Sequence, residues 1–212
     1  MNQADVAKIL EFVAAVFGFF AVGLTIGRSV WCWPVGLVQV LLYVIVFYWA
    51  RLYSDMGLHI AFAGLQVYGF VQWVRQRSNS APSESGISTK VNVVSLSGRG
   101  RLNSLLLCGA LTGLIGWGMS TWTDAALPWS DAFIAACSVV AQWQLAHRYL
   151  QNWYLWIVVD IVAIPVFASR DLMFTVVLYI LFLMMSVAGA ISWNRRYAIQ
   201  RANIQHLTED YA

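Results

Sequence analysis

The sequence predicts an all-α, polytopic membrane protein: seven transmembrane helices in a 3+1+3 arrangement. Three observations predict it. First, the chain is 60% hydrophobic and only 11% charged, whereas a soluble domain carries about 25% charged residues. Second, seven apolar stretches are long enough to cross a bilayer. Third, the chain repeats itself. Glu11, Arg28, Trp33, Phe47, Leu52, Phe62, Gly69, Trp73 and Arg75 return, at a constant offset and without a gap, as Asp131, Arg148, Trp153, Phe167, Leu172, Phe182, Gly189, Trp193 and Arg195. A duplicated three-span unit is the pattern of a carrier built from internal repeats.

A helix needs about 20 apolar residues to cross, with a range of roughly 17–25. In chain order the stretches are 9–26, 34–50, 57–74, 104–122, 129–146, 153–169 and 172–193. The first begins after Asp5 and Lys8 and has no small-residue cleavage site, so it is expected to stay as a span and not to be a signal peptide. Stretches one to three and five to seven are the two copies. The fourth separates them, for a geometric reason. Three crossings reverse the chain, so a copy following directly would be inverted. One more crossing makes the copies parallel, related by an axis along the membrane normal. The expected segments are a first repeat (1–76), a loop (77–103), a linker helix (104–128), a second repeat (129–196) and a polar tail (197–212). Residues 78–100 are rich in Ser and Gly, contain Pro82 and are too polar to span, which reads as a flexible loop. The tail reads as a short helix or as disordered.

Loop charge sets the orientation. One side receives Arg28, Arg75, Arg77, Lys90, Arg99, Arg101, Arg148, Arg195, Arg196 and Arg201; the other receives Lys8, Arg51 and Arg170. Ten against three is a strong positive-inside bias. It predicts the amino terminus outside and the carboxyl terminus inside.

The net charge of +3 is spread as loop charge and gives no reason to expect nucleic-acid binding. Cys32, Cys108 and Cys137 lack metal-ligand spacing. No HExxH, CxxC, P-loop or GxSxG occurs, so neither an enzyme nor a cofactor is expected.

Polar residues inside the spans are the candidates for chemistry, because a charge at mid-membrane costs about 2.5–3.5 kcal/mol on the lower of the disputed scales. Asp160 lies near the middle of the sixth stretch. Trp153 and Trp156 precede it on or near the same helix face. Two indoles and a carboxylate suit a flat cation; equally, Asp160 can lock a neighbouring helix. Pro165 removes a bond to the Ile161 carbonyl and should kink the helix.

The repeat gives a second filter. Residues kept in both copies belong to shared packing; polar residues in one copy do not. Asp160 corresponds to Val40, Gln142 to Val22, Gln144 to Leu24, Asn152 to Cys32, Gln39 to Val159 and Gln66 to Ser186. Gln142 and Gln144 point to nearly opposite faces, so at most one meets a ligand. By the same filter Trp33, Trp73, Gly69 and their mates are structural. His59, Phe62, Gln66, Gly69 and Trp73, and likewise Tyr179, Phe182, Ser186, Gly189 and Trp193, form one stripe per copy. Each stripe lines a path or packs helices.

The copies read W-P-V-G-L at Trp33–Leu37, then Tyr43, Phe47, R-L-Y-S-D at Arg51–Asp55 and Y-G-F-V-Q-W at Tyr68–Trp73. The second continues A-Q-W-Q-L-A-H-R-Y-L-Q-N-W-Y-L-W-I-V-V-D from Ala141 to Asp160, R-D-L at Arg170–Leu172 and G-A-I-S-W at Gly189–Trp193. Over nearly all of 10–195 this resembles the PnuC family of bacterial vitamin-precursor transporters, with N-W-x-x-W-x-x-x-D the most specific part. The chain departs from the pattern at Gln151, where many members are acidic, and at Pro34 and Pro165.

The resemblance implies a SWEET-like 3+1+3 fold and a homotrimer in the bacterial inner membrane. It implies facilitated diffusion of nicotinamide riboside, with a cytoplasmic kinase trapping the product. Relatives carry thiamine, riboflavin or deoxynucleosides. On this reading Trp153, Trp156 and Tyr43 stack on the pyridinium ring. Gln142 or Gln144 and Asn152 bond its polar groups, Asp160 balances charge, and Gln39, Gln66 and Tyr179 line the path. A thiamine carrier, a seven-span enzyme or signalling protein, and a proton symporter using Asp160 and His59 are the alternatives. Gly109, Gly113, Gly116 and Gly118 allow close packing of the fourth span.

Overall fold

The computed structural model describes residues 3–49, 53–78, 92–123 and 126–209. Among these the chain forms seven α-helices: α1 (Gln3–Ile26), α2 (Cys32–Trp49), α3 (Tyr53–Ser78), α4 (Gly98–Trp122), α5 (Pro128–Ala146), α6 (Asn152–Ala168) and α7 (Met173–Glu209). Among the described residues each expected stretch falls in its own helix, to within one residue at its ends.

Four helical segments are by themselves long and apolar enough to cross a membrane: Val6–Ile26, Cys32–Trp49, Gly98–Trp122 and Met173–Asn203. The apolar α6 is shorter, at 17 residues. α3 carries Asp55 in its first turn and Arg75 and Arg77 in its last. α5 buries Ser138, Gln142 and Gln144 along with its small residues. A helix sheltered by its neighbours has less need of an apolar surface, which is why α5 gives the weaker hydropathy signal.

Six helices close a ring by packing in the order α1, α2, α3, α5, α6, α7 and back to α1, while α4 packs against α5 from outside. The ring has an internal likeness between α1–α3 and α5–α7. The α1–α2 and α5–α6 turns adopt the same form, with Arg28 at φ 59° and Arg148 at φ 61°. In both, the left-handed residue ends the helix as a Schellman cap: Arg28 N–H donates to Thr25 O and Ser29 N–H to Leu24 O, as Arg148 N–H does to Leu145 O and Tyr149 N–H to Gln144 O.

At this arginine-bearing end lie four buried indoles. Trp33 meets Trp73 edge-on at 5.4 Å, Trp153 meets Trp193 edge-on at 5.7 Å, and Trp73 and Trp193 lie 6.4 Å apart. Each seam between the halves carries the same bond. Trp73 Nε1 donates to Leu145 O and Trp193 Nε1 to Thr25 O, both at 3.2 Å. Trp193→Phe removes one of the two bonds to the buried Thr25 carbonyl, which keeps the Arg28 N–H, and takes away the tie across the seam. It is expected to lower stability by about 1–3 kcal/mol, read as a lower unfolding temperature in detergent.

Three elements differ from the sequence expectation. α4 starts at Gly98, not at 104, with the Ser97 side chain accepting from Gly100 N–H as an N-cap. The tail is not a separate element, because α7 continues to Glu209. At about 1.5 Å per residue, its 37 residues far exceed the roughly 30 Å hydrocarbon core. The loop is not free throughout its length: residues 92–97 dock on the α5–α6 turn. Arg51 and Lys90, counted in the charge argument, fall outside the described residues.

Candidate functional site

The ring encloses three layers of side chains. The four tryptophans form the floor. They sit this close because glycine opposes them: a Cβ on Gly69 would overlap the Trp33 indole, and one on Gly189 would lie 2.5 Å from Trp153 Cη2.

Above the floor comes a polar layer. Asp160, on α6, is only 2% exposed and accepts a 3.1 Å hydrogen bond from Ser186 Oγ on α7. Among the described residues the ion pair is Asp131–Arg170, at the opposite end of the bundle; Asp160 has no cationic partner. The first copy supplies amides. Gln39 packs against Gly18 of α1, its Nε2 2.8 Å from where a Cβ would stand, and Gln66 packs against Gly36 of α2. The copies exchange bulk here. Gly36 and Gln66 on α2 and α3 correspond to Trp156 and Ser186 on α6 and α7. The long residue is on the third helix of the first copy and on the second helix of the second copy.

An aromatic collar forms the third layer, toward the α2–α3 and α6–α7 connections. Tyr43 stacks on Phe47 at 5.7 Å and lies 5.4 Å from His59. His59 sits 4.8 Å from Phe47 and 6.0 Å from Phe62. Its counterpart Tyr179 stacks on Phe167 at 5.1 Å and lies 6.3 Å from Phe182. Each half thus carries its own set of stacked rings at this level.

The expected ligand face of α6 is divided among neighbours. Trp153 lies on Gly189 and Trp193 in the floor, as its repeat mate Trp33 lies on Gly69. Trp156 packs on the cluster of Cys108, Cys137, Val140 and Val159 between α4, α5 and α6. Asp160 reaches across to Ser186 of α7. Asn152 is fully buried at the α5–α6 turn, its Nδ2 donating to Tyr149 O. Gln144 donates from Nε2 to Ser104 Oγ on α4 at 2.9 Å, so it anchors the outlying helix. Gln142 is also buried, on the adjoining part of α5. Gln144→Leu is expected to loosen α4 and cost about 1–2 kcal/mol, measurable as faster proteolysis near 104.

Two features escaped sequence reading. Tyr68 on α3 and Nε2 of His147 lie 3.2 Å apart across the α3–α5 seam, with Gln72 donating to Tyr68. Gln151 binds the 92–97 segment. Both are contacts between residues far apart in sequence and leave no local pattern.

The layers invite comparison with known proteins. The family model described as nicotinamide mononucleotide transporter matches residues 8–195. The chain belongs to this transporter family. The chain is 30% identical over 196 residues to the nicotinamide riboside transporter PnuC of Neisseria mucosa, covering 88% of this chain and 72% of that protein. It is 23% identical over 188 residues to the riboflavin/roseoflavin transporter RibM of Streptomyces davaonensis, covering 86% and 83%. Among solved structures, the crystal structure of the vitamin B3 transporter PnuC is similar with a TM-score of 0.73 and 28% identity, covering 90% of this chain and 83% of that one. The chain is therefore a multi-pass membrane protein of a transporter family.

Proposed function

We propose that this chain imports nicotinamide riboside by facilitated diffusion, and that phosphorylation by a cytoplasmic kinase traps the substrate. The observation that carries the reading is Asp160: a buried carboxylate with no cationic partner among the described residues, under a collar of aromatic rings. A buried charge without a partner is costly. A flat pyridinium entering the collar would supply the missing charge and find rings to stack on. The binding set is Gln39, Tyr43, Gln66, Gln142, Trp156, Asp160 and Tyr179, joined by Ser186. Trp153, Asn152 and Gln144 support it as frame. A membrane potential of 100 mV, inside negative, adds about 2.3 kcal/mol per charge, so no coupling ion is required.

The topology that accompanies this function is the parallel 3+1+3 plan, with repeats 1–76 and 129–196 and linker helix 104–128. Seven crossings put the amino terminus outside and the arginine-bearing end in the cytoplasm of an inner membrane. Rocking of the two halves about the polar layer would alternate access. The matching turns, floor bonds and collars of the halves support this plan. α4 leaves Leu102, Leu105, Leu106 and Leu114 exposed, and Gly109 and Gly113 face open space; this apolar face suits the contacts of a homotrimer.

A riboflavin carrier is the second reading, favoured by the likeness to RibM. The flavin ring is flat but neutral, so it leaves Asp160 uncompensated. Titrating the purified protein with nicotinamide riboside, thiamine and riboflavin, read by tryptophan fluorescence, decides between them. Saturable binding of nicotinamide riboside is expected; binding of only another vitamin reassigns the substrate.

A further inference from the structure

The segment between α3 and α4 returns to the molecule in a way that the carrier function leaves unexplained. Val94 pairs with Tyr149 as a parallel β-bridge. Val94 N–H donates to Arg148 O at 3.0 Å and Leu150 N–H to Val94 O at 2.8 Å. The side chain of Gln151 then makes two further bonds. Its Oε1 accepts from Leu96 N–H, and its Nε2 donates to Ser95 Oγ, both at 2.9 Å. Val93 N–H donates to Oε1 of Gln200 on α7 at 3.1 Å. The strap thus spans from the α5–α6 turn to the protruding part of α7.

What it does there follows from Val93. Its side chain is 5% exposed and belongs to the apolar cluster built by Trp33, Trp73, Trp153 and Trp193. The neighbouring Val94 points outward. The strap therefore completes the tryptophan floor from beneath. Open grooves flank it, one lined by Ser95, Arg101, Gln151, Tyr154 and Asn194 and one by Val93, Gln200 and Arg201, with Tyr197 in both. A solute passing between the halves must cross this floor.

We infer that residues 92–97 are a movable inner gate, latched by Gln151 and Gln200, whose release of Val93 from the tryptophan floor opens the path at the arginine-bearing end. The inference rests on the proposed carrier function. The moving part is a segment of this chain itself. The latch is weak enough to work: it is one bridge and a few side-chain bonds at an aqueous end, where water can replace each partner.

The test uses full-length protein with Cys32, Cys108 and Cys137 replaced by alanine, in proteoliposomes. Bridged residues have Cα atoms close to the spacing of neighbouring strands, about 4.8 Å, which lies within disulfide range. Val94→Cys with Tyr149→Cys should therefore cross-link under mild oxidant. Oxidation is expected to cut uptake at least tenfold and reductant to restore it, with ligand binding kept throughout. Equal uptake in both states would show a static staple and overturn the gate. A second readout needs no substrate. A buried Val93→Cys thiol should react slowly with a maleimide, and roughly tenfold faster when Gln151→Ala removes two latch bonds. An unchanged rate would also overturn it. If the reduced protein moves none of the vitamins, the transport proposal fails separately, and the labelling rates alone decide the gate.

Discussion

Asp160→Asn is expected to weaken nicotinamide riboside binding by about 2–5 kcal/mol, the usual loss when one member of a buried charge pair is removed. That is thirtyfold or more in affinity. Binding of the neutral nicotinamide moiety alone should change no more than a few-fold. The same substitution should make the ligand-free protein more stable. Asparagine removes a buried charge that lacks a cationic partner among the described residues, yet keeps an oxygen to accept from Ser186, and an uncompensated buried charge is a cost the folded state bears. The signature is thus a pair of opposite changes, higher unfolding temperature and poorer cation binding. A merely structural aspartate would show the reverse: lower stability, with cation and neutral ligand affected alike. Titration and thermal unfolding on the same samples separate the cases.

Gly69→Leu is expected to prevent assembly of the bundle. A single Cβ at this position already collides with the Trp33 ring, and one at Gly189 collides with Trp153. Overpacking typically costs about 1–3 kcal/mol. Here it also drives a tryptophan out of the floor, where Trp33 and Trp73 hold an edge-on contact at 5.4 Å and aromatic pairs add about 0.5–1.5 kcal/mol. Gly109→Leu, on the open face of α4 with no atom near it, serves as control and should leave the monomer folded. Fluorescence-detected size exclusion of the three variants, including Gly189→Leu, gives the result directly. A monodisperse Gly69→Leu peak would mean that the floor is not packed as described.

The helices were legible because apolar runs and a constant repeat offset survive in one dimension. Their ends were less so. α4 begins six residues early as Gly-Arg-Gly-Arg-Leu-Asn, and α7 runs on through Arg195, Arg196 and Arg201. These are polar helical turns, and hydropathy cannot tell such turns from loop. Asp160 stood out because a carboxylate in an apolar run has no ordinary reason to be there. Its partner did not, because Ser186 reaches it only through the crossing of α6 and α7. Trp153, Trp156 and Asp160 share a face by spacing, yet Trp153 and Asp160 meet α7 while Trp156 packs on the cluster shared with α4 and α5. Helical periodicity gives azimuth about one axis; which helix fills that azimuth is set by tertiary packing. The repeat filter read Trp33 and Trp153 as frame because it compares two packings of one unit. It was silent on Gln151, whose partners lie in the strap.

The central claim is that the polar layer binds a cationic solute and passes it across the membrane without a coupling ion. Uptake of labelled nicotinamide riboside into proteoliposomes, with membrane potential and pH gradient imposed independently, tests it most directly. Saturable uptake that rises with an inside-negative potential, ignores the pH gradient and is lost with Asp160→Asn is the expected result. Uptake that follows the pH gradient, or that survives Asp160→Asn undiminished, would contradict it.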